Sequence, residues 1–78
     1  MDSMLARVKK VVSQQLDINE NIIQLDSYLI DDLGADSLDN VELILALEEE
    51  FDTEIDEAQA GRFFQVKNVL AYLESQTI

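Results

Sequence analysis

The sequence predicts an all-α fold, a four-helix bundle with three longer helices, one short helix and a long loop between helices 1 and 2. Three observations point there. The 78 residues contain no Pro and only two Gly, so helices meet few built-in interruptions. Alternating strand-like runs are absent, and apolar residues recur at helical spacing. A chain of this length closes one modest core, burying roughly 63% of the surface its unfolded form exposes. A single domain over residues 1–78 is therefore expected.

The first helix rests on Leu5, Val8, Val12 and Leu16, spaced i, i+3, i+7, i+11, with Met4 and Val11 beside them. Ser3 is suited to cap it, and it should end near Leu16 or Asp17. Residues 17–36 then form a connection punctuated by Ile22, Ile23, Leu25, Tyr28, Leu29, Ile30 and Leu33. A loop this long in so small a domain is expected to be pinned to the core by such residues, to be functional, or both.

The second helix has the clearest start. Asp36 is a good N-cap, and Asp39 falls at the third helical position, where a carboxylate favours the positive helix end. It should run over residues 37–50. Asp56-Glu57-Ala58-Gln59 resembles a capping box, and Gly61 suits a stop, giving one short turn. The last helix carries Val66, Val69, Leu70 and Leu73 at i, i+3, i+4, i+7. Phe64 and Gln65 before it are poor caps. At least one of Phe63 and Phe64 is expected in the core.

Placed at about 100° per residue, the second helix shows two apolar faces. Leu43, Ile44, Leu47 and Phe51 lie on one side, and Leu38, Val41 and Leu45 on nearly the opposite side. A small bundle buries one such stripe. The second is expected to stay partly exposed as a docking strip, with Glu42 and Glu49 on one edge and Glu48 on the other. A helix buried all round is the plainer alternative.

Charge narrows the function. Five cations face seventeen acids, a net charge of −12. Phosphate binding needs a basic patch, so nucleic acid is not an expected partner. Arg7, Lys9, Lys10, Arg62 and Lys67 all lie towards the ends, and residues 11–61 hold fifteen acids and no cation. Ordinary surfaces mix both signs; a field of one sign steers towards cationic protein surfaces. With no Cys and no His, the chain has no thiol nucleophile, no disulfide and no imidazole base. An independent enzyme is not expected.

No apolar run approaches the ~20 residues of a membrane span, so no membrane insertion is expected. Residues 1–10 carry three cations with no long apolar stretch after them, unlike a secretory signal. A cytoplasmic monomer is the expectation. A calcium loop would need D-x-[DN]-x-[DN]-G, but with Gly34 sixth, Leu29 would be first, so no dedicated metal site is expected. Loose association of divalent cations with the acids stays open.

One motif carries chemistry. The chain reads Asp32-Leu33-Gly34-Ala35-Asp36-Ser37-Leu38-Asp39 at the start of the second helix, and residues 33–54 read LGADSLDNVELILALEEEFDTE. This stretch resembles the acyl carrier proteins of dissociated fatty-acid synthesis, and the likeness extends more loosely over almost the whole chain. It includes the opening helix, Asp31-Asp32-Leu33-Gly34 and the terminal Val-Leu-Ala-Tyr-Leu. The resemblance implies that a separate transferase moves 4′-phosphopantetheine from coenzyme A to the Ser37 hydroxyl, flanked by Asp36 and Leu38. Acyl groups then ride as thioesters on the arm's thiol, which suits a chain that has no Cys.

It further implies that Ser37 is a substrate hydroxyl and that the chain is a non-catalytic carrier. The implied partners are holo-acyl-carrier-protein synthase or another phosphopantetheinyl transferase, and acyltransferases, ketosynthases, reductases and dehydratases with basic docking patches. Leu47, Phe51, Ile55 and Leu70 are candidates to line an acyl pocket. Gly34 is suited to a positive-φ turn before the helix. The chain departs from the family where Asp56 follows Ile55 in place of the common Pro, and where Phe63-Phe64-Gln65 replaces a Thr-rich cap. Carriers for polyketide, lipid-A-type or aminoacyl groups therefore remain alternatives, as does an acidic interaction module without a prosthetic group.

Fifteen acids without an internal cation repel one another. Raising salt, which shortens the screening length to about 10 Å at 0.1 M, should raise the melting temperature. A melting temperature flat in salt would show the acids to be too well separated to matter.

Overall fold

The computed structural model describes residues 3–76. Four α-helices follow in order: α1 (Met4–Leu16), α2 (Ser37–Phe51), α3 (Glu57–Ala60) and α4 (Val66–Gln76). Three are long and one is a single turn. A 3-10 helix (Glu20–Ile22) interrupts the α1–α2 connection. The reading of residues 1–10 as lacking a signal includes Met1 and Asp2, which lie outside the described residues.

The core lies where α1, α2 and α4 converge. Val8, Val12, Leu43, Leu47, Val66, Val69 and Leu73 are almost fully buried there, with Ile23 and Leu29 from the loop. Ser3 caps α1 by accepting from the Ala6 amide at 3.1 Å. The buried stripe of α1 is Val8, Val11 and Val12. Leu5, expected in that stripe, is half-buried and outside the core. With 3.6 residues per turn, a stripe drifts round the helix, and here it centres on 8, 11 and 12.

Of the seven apolar residues expected to punctuate the long loop, three pin it. Ile23, Leu29 and Leu33 are buried, whereas Ile22, Leu25, Tyr28 and Ile30 are exposed. Backbone hydrogen bonds add to the pinning. The first amides of a helix lack partners within it. At the start of α4, Val66 N–H donates to the Ser27 carbonyl at 3.0 Å and Lys67 N–H to that of Leu25 at 2.9 Å. Leu29 N–H returns a bond to the Phe64 carbonyl at 2.9 Å. The loop thus takes up helix-end donors that Phe64 and Gln65 side chains cannot. Asn68 completes the cap from inside the helix, its Oδ1 accepting from the Gln65 amide at 2.8 Å and from that of Phe64 at 3.2 Å.

Helix ends show a second device. α1 and α2 stop at Asp17 and Asp52, both left-handed with φ 56° and 50°. Asp tolerates that conformation better than most residues with a Cβ. Gly61 ends α3 at φ −66°, without using glycine's freedom. Asp56 caps α3 by accepting from the Gln59 amide at 2.8 Å.

Phe63 is buried and packs tilted on Tyr72, with ring centroids 5.7 Å apart, whereas Phe64 is 63% exposed. Arg7 clasps the far end of α2. Its Nε donates to Glu50 Oε2 at 3.0 Å, its Nη2 donates to the Glu50 carbonyl at 2.8 Å, and its guanidinium lies 4.4 Å from the Phe51 ring centroid. No helix among the described residues is long and apolar enough to cross a membrane.

Candidate functional site

The site begins with the turn that delivers the chain to α2. Gly34 adopts φ 77°. Open space surrounds the position of a missing Cβ, so backbone conformation alone favours glycine there. Gly34 N–H donates to the Ile30 carbonyl at 3.1 Å and Ala35 N–H to that of Leu29 at 2.9 Å. Leu33 and Ala35 turn inward, and Asp36, Ser37 and Leu38 are left outside.

Asp36 and Asp39 then lock the helix start. Asp36 Oδ1 accepts from the Asp39 amide at 2.8 Å, and Asp39 Oδ2 accepts from the Asp36 amide at 3.2 Å. This is a capping box built from two aspartates. Between them, Ser37 is the first helical residue. It is exposed, and its hydroxyl has no hydrogen-bond partner among the described residues. The amides of Ser37 and Leu38 remain open at the positive end of a 15-residue helix.

The acids around Ser37 have structural work. Asp32 Oδ2 accepts from the Tyr28 amide at 2.8 Å, and Asp36 and Asp39 hold the cap. Three of the four carboxylates are thus engaged by backbone amides. Asp31 has no such bond among the described residues. No imidazole or thiol exists to activate the hydroxyl. The arrangement leaves an accessible hydroxyl beside open amides at the start of α2.

Along α2 the two apolar faces separate cleanly. Leu43 and Leu47 are buried, and Ile44 and Phe51 pack on the core. Leu38, Val41 and Leu45 are 66%, 58% and 59% exposed, which is far from a helix buried all round. Glu42 and Glu49 are exposed, whereas Glu48 is half-buried.

A cleft of about 280 Å³ runs between α2 and α3. Val41, Ile44 and Leu45 form one wall, and Ile55 and Ala60 face them. Of the four pocket candidates, Ile55 lines this cleft. Leu47 is buried in the core, Phe51 and Leu70 are half-buried against it, and none of the three lines the cleft. Among the described residues no group of three or more acids is arranged to hold a metal ion.

The family defined by the phosphopantetheine attachment site matches residues 6–73. The acyl carrier protein of Campylobacter lari is 48% identical over 68 residues, covering 87% of this chain and 88% of its own. The chain is a member of the acyl carrier protein family. A solved structure of a proposed acyl carrier protein from Mycobacterium tuberculosis matches with TM-score 0.90 at 29% identity, over 96% of this chain and 100% of that one. Members of the acyl carrier protein family are non-catalytic, and their prosthetic group is phosphopantetheine. An exposed, unpartnered hydroxyl beside open helix-end amides fits such a group, whose phosphate those amides favour.

Sequence reasoning missed three contacts: the Arg7 clasp on Glu50, the backward cap by Asn68, and the bond from Glu48 to the Ile55 amide. Asn68 was legible as a polar residue at the third helical position. The other two join residues whose spacing carries no local pattern.

Replacing Asp36 by Ala should destabilise the chain by about 1 kcal/mol, the usual cost of a lost N-cap, measured by urea unfolding. An unchanged midpoint would show that the capping box does not hold the helix start.

Proposed function

We propose that this acyl carrier protein carries fatty-acyl intermediates on a 4′-phosphopantetheine arm attached at Ser37 and delivers them to fatty-acid biosynthesis enzymes in the cytoplasm. The supporting observation is the Ser37 hydroxyl, exposed at the first turn of α2 and free of hydrogen bonds among the described residues. The bound arm supplies a thiol that the chain itself lacks. Ser37 is the attachment point, with Asp36 holding the helix start and Leu38 leading onto the docking strip.

Leu38, Val41 and Leu45 form the apolar centre of that strip, and Glu42, Glu48 and Glu49 supply its charge. The partners it suits carry an apolar patch ringed by Arg or Lys: the phosphopantetheinyl transferase first, then acyltransferases, ketosynthases, reductases and dehydratases. Leu47, Phe51, Ile55 and Leu70 are the residues on which an acyl chain would settle, with Ile55 the one at the open cleft. A second reading, a carrier in a specialised pathway, is favoured by Phe64, whose ring stands 63% exposed where the family commonly has a Thr-rich cap.

Incubation with coenzyme A and a broad phosphopantetheinyl transferase should add one phosphopantetheine by intact mass. Ser37→Ala should remain unmodified. Equal modification of both would remove Ser37 from the role. Loading the modified protein with malonyl, longer acyl or aminoacyl groups separates the fatty-acid reading from the specialised one.

Reversing Glu42 or Glu49 to Lys should lower kcat/KM for that transfer by about tenfold, of the size seen when a charge pair at an interface turns repulsive, with unfolding changed by less than ~0.5 kcal/mol. Unchanged kinetics at low salt would count against the docking strip.

A further inference from the structure

The run of acids pauses after Glu57. Residues 58–73 hold no Asp or Glu, and Arg62 and Lys67 fall within them. Lys67 is paired with Asp26. Arg62 is exposed and makes no ion pair among the described residues. A cleft of about 330 Å³ opens between α3 and α4, and no carboxylate lines it. Gln59 and Arg62 border it on one side, and Asn68, Ala71 and Ser75 of α4 on the other. Tyr72 also lines it, its ring packed on that of Phe63. The α2–α3 cleft, in contrast, is lined by Glu48 and Glu57, and the groove between α1 and α2 by Glu49 and Glu50.

The polar groups of the α3–α4 cleft divide into spent and open. The Tyr72 hydroxyl donates to the Glu54 carbonyl at 3.0 Å, and the Ser75 hydroxyl to the Tyr72 carbonyl at 2.6 Å. Asn68 Oδ1 accepts the amides of Phe64 and Gln65 at 3.2 Å and 2.8 Å. Those two bonds hold the carboxamide in place and leave its Nδ2 without a partner among the described residues. The Arg62 guanidinium adds five N–H donors in a planar fork, and the Gln59 side chain is likewise unbonded among the described residues. Open donors without a carboxylate suit an anionic, acceptor-rich guest. Arg62 and Ala71 are exposed, so the cleft lies open to solvent. A small ligand there would stay largely in water, whereas enclosed pockets bury most of theirs. From Asn68 to Ser75, α4 offers about 10 Å of border, the length of about three extended residues.

We propose that the α3–α4 cleft is a docking site for a short acidic segment of a partner protein, whose Asp or Glu side chain pairs with Arg62. The guanidinium takes both carboxylate oxygens in parallel bonds. Asn68 Nδ2 donates to a backbone carbonyl of the segment, and a neighbouring apolar side chain lies against Ala71 and Tyr72. The remaining acids of this chain do not reject such a guest at moderate salt, because charges beyond about 10 Å are screened at 0.1 M. The cleft thus selects a partner of opposite charge to the one that suits the α2 strip, and the inference does not rest on that strip or on the arm at Ser37.

Chemical-shift titration of the isotope-labelled full chain in about 0.1 M salt tests this. The probes are the capped tripeptide Leu-Glu-Phe, its Gln and Lys counterparts, and sodium acetate as a free anion. Leu-Glu-Phe should shift the Asn68 side-chain amide and the Arg62 Nε–H with a Kd of about 1 mM. The Gln and Lys peptides should bind about tenfold more weakly or less. Arg62→Gln should lose about tenfold in affinity for the Glu peptide, and Arg62→Glu should reverse the order and favour the Lys peptide. Ala71→Glu, at an exposed position, should weaken the Glu peptide by a similar factor. The Leu43 amide, in the core, reports that each variant stays folded. An Asn68 amide unmoved by Leu-Glu-Phe would overturn the proposal. So would equal binding of the Glu and Lys peptides, or undiminished binding by Arg62→Gln. Equal shifts with acetate at the same concentration would also overturn it, by making the cleft a site for a free anion.

Discussion

The reciprocal bonds between Asp36 and Asp39 are the constraint on which the site depends. A serine at the start of a helix usually caps it, turning its hydroxyl onto the amides of the first turn. Here Asp36 has taken that duty, and Asp39 answers it from one turn on. Ser37 is thereby displaced into the first helical position with its hydroxyl released. The same lock leaves the Ser37 and Leu38 amides open, so the helix end keeps its attraction for a phosphate while its acids are engaged.

From that start, α2 divides the molecule. Leu43 and Leu47 are buried in the core and removed from water, which holds the helix in place. Leu38, Val41 and Leu45 are left outside, an apolar strip in water of the kind the proposed docking role would use. Residues 11–61 hold no cation, so this face carries charge of one sign. The few cations are spent at its margins, Arg7 on Glu50 and Lys67 on Asp26. Both pairs are exposed, so they contribute little to stability, and the interior of the acidic field is left intact.

The helices and the start of the site were legible because both are local. Ser3, Asp36 and Asp56 each cap as their sequence position implied, and Phe63 entered the core. What was not legible depended on partners distant in the chain. Besides burying Ile23, Leu29 and Leu33, the loop is held by lending the Leu25 and Ser27 carbonyls to the bare start of α4. Leu5 read as core from spacing alone, but the neighbouring helices settled where the α1 stripe is centred. The left-handed ends at Asp17 and Asp52 gave no glycine signal. Glu48 read as a rim charge, and its bond to Ile55 appears only when the chain turns back after α2.

The most direct measurement of the central claim is peptide-level mapping of the modified residue. The chain is treated with coenzyme A and a phosphopantetheinyl transferase, digested, and its peptides fragmented by mass spectrometry. The released hydroxyl of Ser37 predicts phosphopantetheine on Ser37 alone. Its appearance on Ser3, Ser13, Ser27 or Ser75 would contradict the claim that the aspartate capping box presents the one hydroxyl made for the arm.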